Sequence, residues 1–497
     1  MPEKFIAHFT IADFIVIGAY FVAVFVFGFY RKHRTAAEQS QGFLIAGRRL
    51  TLPLFVATLV ATWYGGILGV GEFSYTQGLA SWLALGVFYY VFAALYALFI
   101  AGKIRDAGLA GQHLTIPDRL QSRYGRGVAA LASVFIFTMI TPAPYLLITA
   151  ILLSMITGFS LEICLLLAAL LSVVYIFSGG LESVVLADIV QFALMFIGFT
   201  VVIPFAVNTF GGFEFLKASL PASHLRPTGN LSWQQILAWS FVALWTFVDP
   251  NFFQRCLAAE SSRTAKQGIF VSIGFWVLFD AMTCTAGLYA RAALPNINPV
   301  MSYPALAEAV LPSFWKGLFY TGMLATVMST VSGYTFLSAM TIGRDFIHRA
   351  VSGDARDEHA LKRYVMFGLV MTIAVSLIVA YTMQSIISIW YTLGTIGVPA
   401  LLLPMLSTFT EKIKFQKGWI AASIVLAPAA SIAYLVIGYL NFSGGAPQYP
   451  LGIEPMHVGL LVSVAVFACA AAAQKFFPPA ESQPVQSPIT TASNDSK

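Results

Sequence analysis

Four hydroxyl side chains lie in the middle of an apolar stretch, residues 318–340, that is long enough to cross a bilayer as a helix. They are Thr326, Ser329, Thr330 and Ser332. The first three are spaced i, i+3 and i+4, so a helix would present them as one polar stripe. Sodium prefers oxygen ligands, and neutral hydroxyls bind it weakly enough for release. The stripe therefore indicates a small-cation site, with helix packing through small hydroxyl residues as the alternative.

The composition indicates that these hydroxyls lie in a membrane protein. The 497-residue chain is 58% hydrophobic and only 10% charged, whereas soluble domains carry about 25% charged residues. Apolar runs predict thirteen spans, near residues 11–30, 51–71, 80–101, 127–156, 160–178, 184–207, 233–254, 268–292, 316–340, 364–383, 385–409, 418–440 and 456–474. The first span is expected to remain as an anchor, because only Lys4 precedes it and a basic cluster follows it.

The distribution of basic residues predicts the orientation. If the N-terminus is outside, 23 of the 28 Lys and Arg residues fall in inner loops or the C-terminal tail. Such a bias is typical of cytoplasmic loops, so we expect the C-terminus in the cytoplasm. The net charge of +6 then mainly reflects the basic residues of the inner loops and the tail. No soluble basic domain is present to bind nucleic acid. The loops are also too short for a folded catalytic domain, and the four cysteines lack metal-site spacing, so an enzyme is not expected.

Two of the predicted spans contain helix breakers. Residues 65–71 hold four glycines, which weaken a helix and free backbone carbonyls. In the seventh span, Pro250 removes a backbone donor beside the carboxylate of Asp249. Paired interrupted helices are typical of a transporter binding site at mid-membrane. Close helix packing for the glycines and a simple kink for the proline are the alternatives.

Three further acids lie in or near predicted spans, where a carboxylate is costly unless it is paired, protonated or hydrated. Asp188 and Gln191 share a helix face near the inner end of the sixth span and are predicted to meet the hydroxyl stripe. Asp280 is expected to have a structural partner. Glu72 follows the glycine break as either a gate residue or an exposed one.

Several ordered motifs resemble those of the sodium:solute symporter family, which includes proline, pantothenate, sialic acid and galactose symporters. They are residues 179–191, residues 328–332 leading to Gly343-Arg344-Asp345, Gln254-Arg255, and residues 115–120. The resemblance covers roughly residues 10 to 475. It implies an all-α polytopic membrane protein whose LeuT-like core has two inverted five-helix repeats, with the first and sixth core helices broken. The implied division is 1–50 (one helix and an inner loop), 51–207 (first repeat), 208–232 (outer loop), 233–409 (second repeat), 410–475 (two helices) and 476–497 (disordered cytoplasmic tail).

The resemblance also implies a sodium site. Its ligands would be the backbone carbonyls of Ala61, Tyr64 and Thr326 and the hydroxyls of Ser329 and Thr330. Some family members hold a second sodium nearer the cytoplasm, which here would use Asp188, Ser329 and Ser332. Gly333, which has no side-chain oxygen, stands where a further serine ligand would be, and this disfavours a second sodium. Inner gating or a structural role is the alternative for Asp188.

The solute would sit beside the two helix breaks. Matching the family's motifs places Trp245 where a gating aromatic covers the solute and Tyr391 at a pocket position. Trp63, Gly66, Tyr145 and Asp249 are predicted neighbours of that pocket. For each aromatic residue, packing against lipid or at the membrane interface is the alternative.

These expectations together predict a sodium-coupled secondary active symporter. It would import a small organic solute by alternating access across the plasma membrane, in a bacterium the inner membrane, as a monomer in the lipid bilayer. Sodium would be the coupling ion. One alternative is a proton-coupled transporter of the same fold, with Asp188 or Glu72 titrating. The others are a non-transporting membrane sensor and a channel.

Overall fold

The computed structural model describes residues 7–29, 45–111, 113–174, 180–349, 358–383, 385–410, 415–443 and 447–476. This part of the chain is almost entirely helical, and an isolated β-bridge joins Leu50 to Ala259. The helices are α1 Ile11–Phe29, α2 Leu52–Ala61, α3 Ile67–Gln77, α4 Ala80–Leu109, α5 Ile116–Tyr124, α6 Arg126–Met139, α7 Ala143–Thr157, α8 Leu161–Val174, α9 Leu181–Phe210, α10 Phe213–Ser219, α11 Trp233–Val242, α12 Pro250–Ala258, α13 Ser262–Ala293, α14 Ser302–Val310, α15 Trp315–Met340, α16 Glu358–Met383, α17 Ile386–Ser407, α18 Lys417–Leu440 and α19 Pro455–Phe476.

Within the described ranges, ten helical segments are long and apolar enough to cross a membrane. Three more predicted spans coincide with shorter apolar helices, in α1, α2 and α8. Two of these end next to residues outside the described ranges, and α2 is short because its span is broken. The polytopic all-α class is confirmed, while the count of thirteen spans stays a prediction.

Both predicted helix breaks are present. The second span divides into α2 and α3, with residues 62–66 non-helical between them. The seventh divides into α11 and α12, joined by the 3₁₀ turn Ala243–Phe247. Pro250 is the first residue of α12, where its missing N–H costs nothing. Asp249 caps that helix, because its Oδ1 accepts the Asn251 N–H at 2.7 Å.

The hydroxyl-bearing helix α15 lies at the centre of the bundle. It packs most extensively against α9 and also contacts α1, α7 and α16. Gly198 of α9 and Gly322 of α15 let the two backbones approach, since a Cβ on Gly198 would lie 3.1 Å from the Gly322 Cα. Small residues at a crossing are how membrane helices pack closely. Protein therefore surrounds α15, which keeps its polar stripe out of the lipid.

The crossing of α15 and α16 yields a test of this packing. A Cβ on Gly368 of α16 would overlap the Ala339 carbonyl oxygen of α15. We expect Gly368→Ala to lower the thermal unfolding temperature of the detergent-purified protein, because overpacking costs about 1–3 kcal/mol. Gly274→Ala in α13 is the matched control, since a Cβ there meets nothing within 4 Å. Equal unfolding temperatures for the two variants would contradict the close crossing.

Candidate sodium and solute sites

The hydroxyl stripe of α15 lies against the break between α2 and α3. The Thr330 hydroxyl lies 2.9 Å from the Thr62 carbonyl oxygen and 3.3 Å from that of Thr326. A Cβ on Gly65 would overlap the Thr330 side chain, so this approach requires glycine at position 65. Thr326 and Thr330 are buried. The structure thus gathers hydroxyl and carbonyl oxygens at one buried point.

Two further carbonyls of the break are without backbone partners. Among the described residues, no N–H donates a hydrogen bond to the carbonyl oxygens of Ala61 or Tyr64. Both residues are buried. A buried carbonyl that lacks a donor costs free energy, and a cation can take the place of the missing donor. Both are among the three carbonyls that the resemblance assigns to the sodium.

Asp188 joins the stripe from α9. Its Oδ1 accepts the Ser329 hydroxyl at 2.6 Å, and its Oδ2 accepts the hydroxyl of Thr58 in α2. Gln191, which was expected on the same face, instead donates to the Tyr20 hydroxyl of α1 at 3.1 Å. The carboxylate of Asp188 therefore ties α9, α15 and α2 together directly below the break.

A buried arginine faces this carboxylate. Arg255 Nη2 lies 3.9 Å from Asp188 Oδ2, and both side chains are fully buried. The guanidinium also donates to Asn251 Oδ1 at 2.7 Å and to the Thr58 hydroxyl at 3.3 Å. Arg255 belongs to a family-like motif but directly follows the predicted seventh span, residues 233–254, so the sequence does not predict that its charge is buried. A carboxylate buried at Asp188 was the signal that a basic partner should be sought.

The structure separates Ser332 from Asp188. The Ser332 hydroxyl donates to the Met328 carbonyl of its own helix at 2.6 Å. A Cβ on Gly333 would lie 3.3 Å from Asn251 Oδ1 and 3.5 Å from Arg255 Nη2. The guanidinium thus stands beside the position where the resemblance implies another serine ligand, and Ser329 is the stripe hydroxyl that contacts Asp188.

A cavity opens beside the two breaks. Its volume is about 110 Å³, several times the roughly 10–15 Å³ that one water needs. Its walls are Thr62, Trp63, Tyr64, Gly66, Val70, Leu85, Tyr89, Tyr145, Trp239, Val242, Trp245, Asp249, Asp280, Tyr334 and Trp390.

Five of the six residues predicted for the solute pocket line this cavity: Trp63, Gly66, Tyr145, Trp245 and Asp249. Tyr391 does not line it, and its hydroxyl donates to the Glu454 carboxylate. The preceding residue, Trp390, lines the cavity and lies so close to Gly66 that a Cβ there would overlap its ring.

Sequence reasoning missed several other cavity residues. Tyr334 lies one turn after Thr330 on α15, a spacing that could have revealed it. Its ring stacks on Tyr145, with centroids 5.3 Å apart and planes 4° apart, and its hydroxyl lies 3.4 Å from Asp249 Oδ2. Asp280, expected to be structural, lines the cavity and accepts the Tyr90 hydroxyl. Glu72, by contrast, is not among the lining residues.

A charged network joins α5 to the end of α15. Asp118 pairs with Arg344 at 2.8 Å and also with Arg349. Arg344 and Arg349 both reach Asp345, at 2.7 and 3.2 Å. Burial alone would raise the pKa of Asp118, but the two guanidiniums hold it below the usual aspartate value. The basic-residue distribution predicts this side to be cytoplasmic.

Further contacts hold α5 against the end of α17. Arg119 donates to the Thr408 carbonyl at 3.0 Å, and its guanidinium lies 3.9 Å from the centroid of the Phe409 ring. Polar and aromatic contacts therefore hold α5 against the end of α17.

A sequence model of the sodium:solute symporter family matches residues 43–425. The chain belongs to this family. As a family member it is a transporter and an integral membrane protein rather than an enzyme, which confirms the class predicted from the sequence.

Individual relatives are distant. The high-affinity choline transporter 1 of Caenorhabditis elegans is 23% identical over 427 residues, which cover 76% of this chain and 70% of that protein. A sodium/proline symporter of Staphylococcus aureus is 22% identical over 383 residues, covering 73% of this chain and 74% of the relative.

A solved structure shows the same fold. It is the substrate-bound outward-open state of a Na⁺-coupled sialic acid symporter, with a TM-score of 0.77 and 16% identity over 96% of this chain and 100% of that one. At this identity the likeness establishes the LeuT-like fold and no more.

The buried pair of Asp188 and Arg255 generates a stability prediction. Removing one partner leaves the other charge buried alone, which costs about 3–5 kcal/mol. We therefore expect Asp188→Ala to lower the unfolding temperature strongly, and the double variant Asp188→Ala/Arg255→Met to recover part of that loss. Thermal unfolding in detergent measures both, with the exposed Glu214→Ala as control. A double variant less stable than Asp188→Ala would show that the two charges do not compensate each other.

Proposed function

We propose that this protein imports a small organic solute together with sodium, through alternating access. One observation supports the proposal most directly. The Thr330 hydroxyl contacts the carbonyl oxygens of Thr62 and Thr326, and this contact lies at a helix break that also borders a cavity. The family assignment supports sodium as the coupling ion. We infer that the ion is held by the carbonyls of Ala61, Tyr64 and Thr326 and by the hydroxyls of Ser329 and Thr330.

The break provides a physical route for coupling. Trp63, Tyr64 and Gly66 line the cavity, while the carbonyls of Ala61 and Tyr64 are the candidate sodium ligands. One short non-helical segment would thus contact both the ion and the solute. Sodium that fixes this segment also fixes the cavity wall, so each ligand raises the affinity for the other by the same factor.

The network around Asp118 supports the alternating part of the proposal. Its ion pairs and the Arg119 contacts close one side of the bundle below the candidate sites. Opening that side requires these contacts to separate while the other side closes. We infer that the closed side faces the cytoplasm, with the N-terminus outside and the C-terminus inside, as the 23 inner basic residues indicate.

The remaining features of the proposal follow from the sequence and the family. The inverted repeats would span residues 51–207 and 233–409, and the protein would act as a monomer in a plasma membrane, in a bacterium the inner one. The relatives are named for choline, for proline and for sialic acid. These solutes differ in charge and size, so the names support transport of an organic solute without choosing one.

Sodium binding tests the site. We expect purified wild-type protein to bind ²²Na⁺ saturably in a scintillation proximity assay, and Thr330→Val to bind it at least about tenfold more weakly, because valine keeps the shape but removes the oxygen. Thr321→Val is the matched control, since the Thr321 hydroxyl donates to the Gly317 carbonyl of the same helix.

Two outcomes would contradict the assignment. If Thr330→Val retains wild-type sodium affinity, the ion binds elsewhere. If wild-type protein binds no sodium and transport responds to a pH gradient in sodium-free buffer, the coupling ion is the proton.

Ser332→Ala serves as a probe for a second ion, and we expect it to leave the sodium stoichiometry unchanged, because the Ser332 hydroxyl is bonded within its own helix.

A further inference from the structure

The solute cavity has an unusual balance of charge. Its described lining residues include two carboxylates, Asp249 and Asp280, and no Lys, Arg or His. Asp280 accepts the Tyr90 hydroxyl and has Tyr64 as its other polar neighbour, and no basic side chain in the described part of the chain pairs with it. A carboxylate in a largely buried wall is costly without a positive charge nearby.

The buried Arg255 does not remove this imbalance. It lies outside the cavity lining and faces Asp188, with which it forms a neutral pair. Asp249 lies within its electrostatic reach but is used as the cap of α12. With Asp188 and Arg255 cancelling, Asp249 and Asp280 in their ionised forms are two negative charges that no basic side chain of the cavity lining matches. One sodium and one singly charged cation would neutralise them.

The walls of the cavity favour a particular kind of cation. Eight of the fifteen lining residues are tyrosine or tryptophan: Trp63, Tyr64, Tyr89, Tyr145, Trp239, Trp245, Tyr334 and Trp390. The faces of such rings attract cations, and cages of them recognise alkylated ammonium groups. Both carboxylates already accept hydrogen bonds from the protein. The site thus supplies negative potential and ring faces, but few hydrogen-bond acceptors that are still free. A methylated ammonium has no N–H that needs an acceptor, so it suits this site better than a strongly hydrated primary amine does.

Two polar atoms in the wall call for a second feature of the solute. The indole Nε1–H groups of Trp245 and Trp390 are buried and have no hydrogen-bond partner among the described residues. A buried donor without an acceptor costs about 1–3 kcal/mol. A hydroxyl or carbonyl oxygen on the solute would satisfy it.

We propose that the transported solute is a compact organic cation, an alkylated ammonium compound with at least one hydrogen-bond acceptor, held by the ring faces of the cavity and by the charge of Asp280. This inference rests on the proposed solute site, and it names the substrate class of that site. An anionic solute would add a third negative charge to an uncompensated pair, so the same geometry disfavours it.

The experiment compares a cation with its uncharged isostere on purified wild-type protein. Binding of ³H-choline is measured by scintillation proximity in sodium and in potassium buffer, with 3,3-dimethyl-1-butanol, tetramethylammonium, proline and sialic acid as competitors. The butanol has the shape of choline with a carbon in place of the charged nitrogen. We expect saturable choline binding that sodium strengthens, competition by tetramethylammonium, and at least about tenfold weaker competition by the butanol.

Variants assign the charge to its residue. We expect Asp280→Asn to weaken choline binding at least about tenfold, Asp280→Glu to restore part of the affinity, and the exposed control Glu214→Gln to change nothing. The same samples are assayed for ²²Na⁺ binding, which Asp280→Asn should retain. That parallel measurement also shows that the variant is folded.

The outcomes separate this inference from the proposed function. Intact ²²Na⁺ binding with no binding of choline or tetramethylammonium would overturn the cation assignment and leave sodium symport standing. Competition by the butanol as strong as by choline, or by proline or sialic acid instead of the cations, would also overturn it. Choline binding that discriminates against the butanol but ignores sodium would support the cation class and overturn sodium coupling.

Discussion

The structure depends on one constraint, the contact of an unwound backbone with a helix that protein surrounds on every side. Residues 62–66 leave their helical conformation against α15, whose Thr330 hydroxyl donates to the Thr62 carbonyl, and surrounding protein is what makes such a break tolerable in a membrane. Gly65 permits the approach of Thr330, and Gly66 permits the approach of Trp390. The same two glycines therefore bring the break against the candidate ion site on one side and the solute cavity on the other.

The ion pair of Asp188 and Arg255 supports that contact from below. Thr58, one turn before the break, bonds to both charged groups, so the end of α2 is fixed relative to α9, α12 and α15. Buried pairs of this kind add little net stability, but they specify one arrangement of the helices that carry them. In this protein the specified arrangement places both broken helices beside α15.

The sequence predicted the polytopic class, the two helix breaks and five of the fifteen residues that line the cavity. These features depend on local signals: apolar run length, clustered glycines, and Pro250 next to an acid. It did not predict the pairing of Asp280 with Tyr90, because those residues are 190 positions apart and nothing local links them. The sequence also did not predict that Trp390, rather than Tyr391, lines the cavity. Adjacent residues on a helix point about 100° apart, and only the tertiary packing of α17 decides which one faces the cavity.

Asp118 forms ion pairs with arginines and also accepts backbone N–H groups at the start of α5. The two kinds of contact differ in what happens to them when this side of the bundle opens as proposed. The carboxylate pairs with Arg344 and Arg349, and it also accepts the backbone N–H groups of Leu114 and Thr115 at 2.8 and 3.1 Å. When the arginines move away, those backbone donors remain and continue to favour the ionised form. Helix α5 then keeps its capped end and can move as a rigid piece. In the proposed opening, Asp118 therefore needs no added proton to keep α5 capped, whereas Asp345, which faces the same two arginines, would lose both of its charged partners.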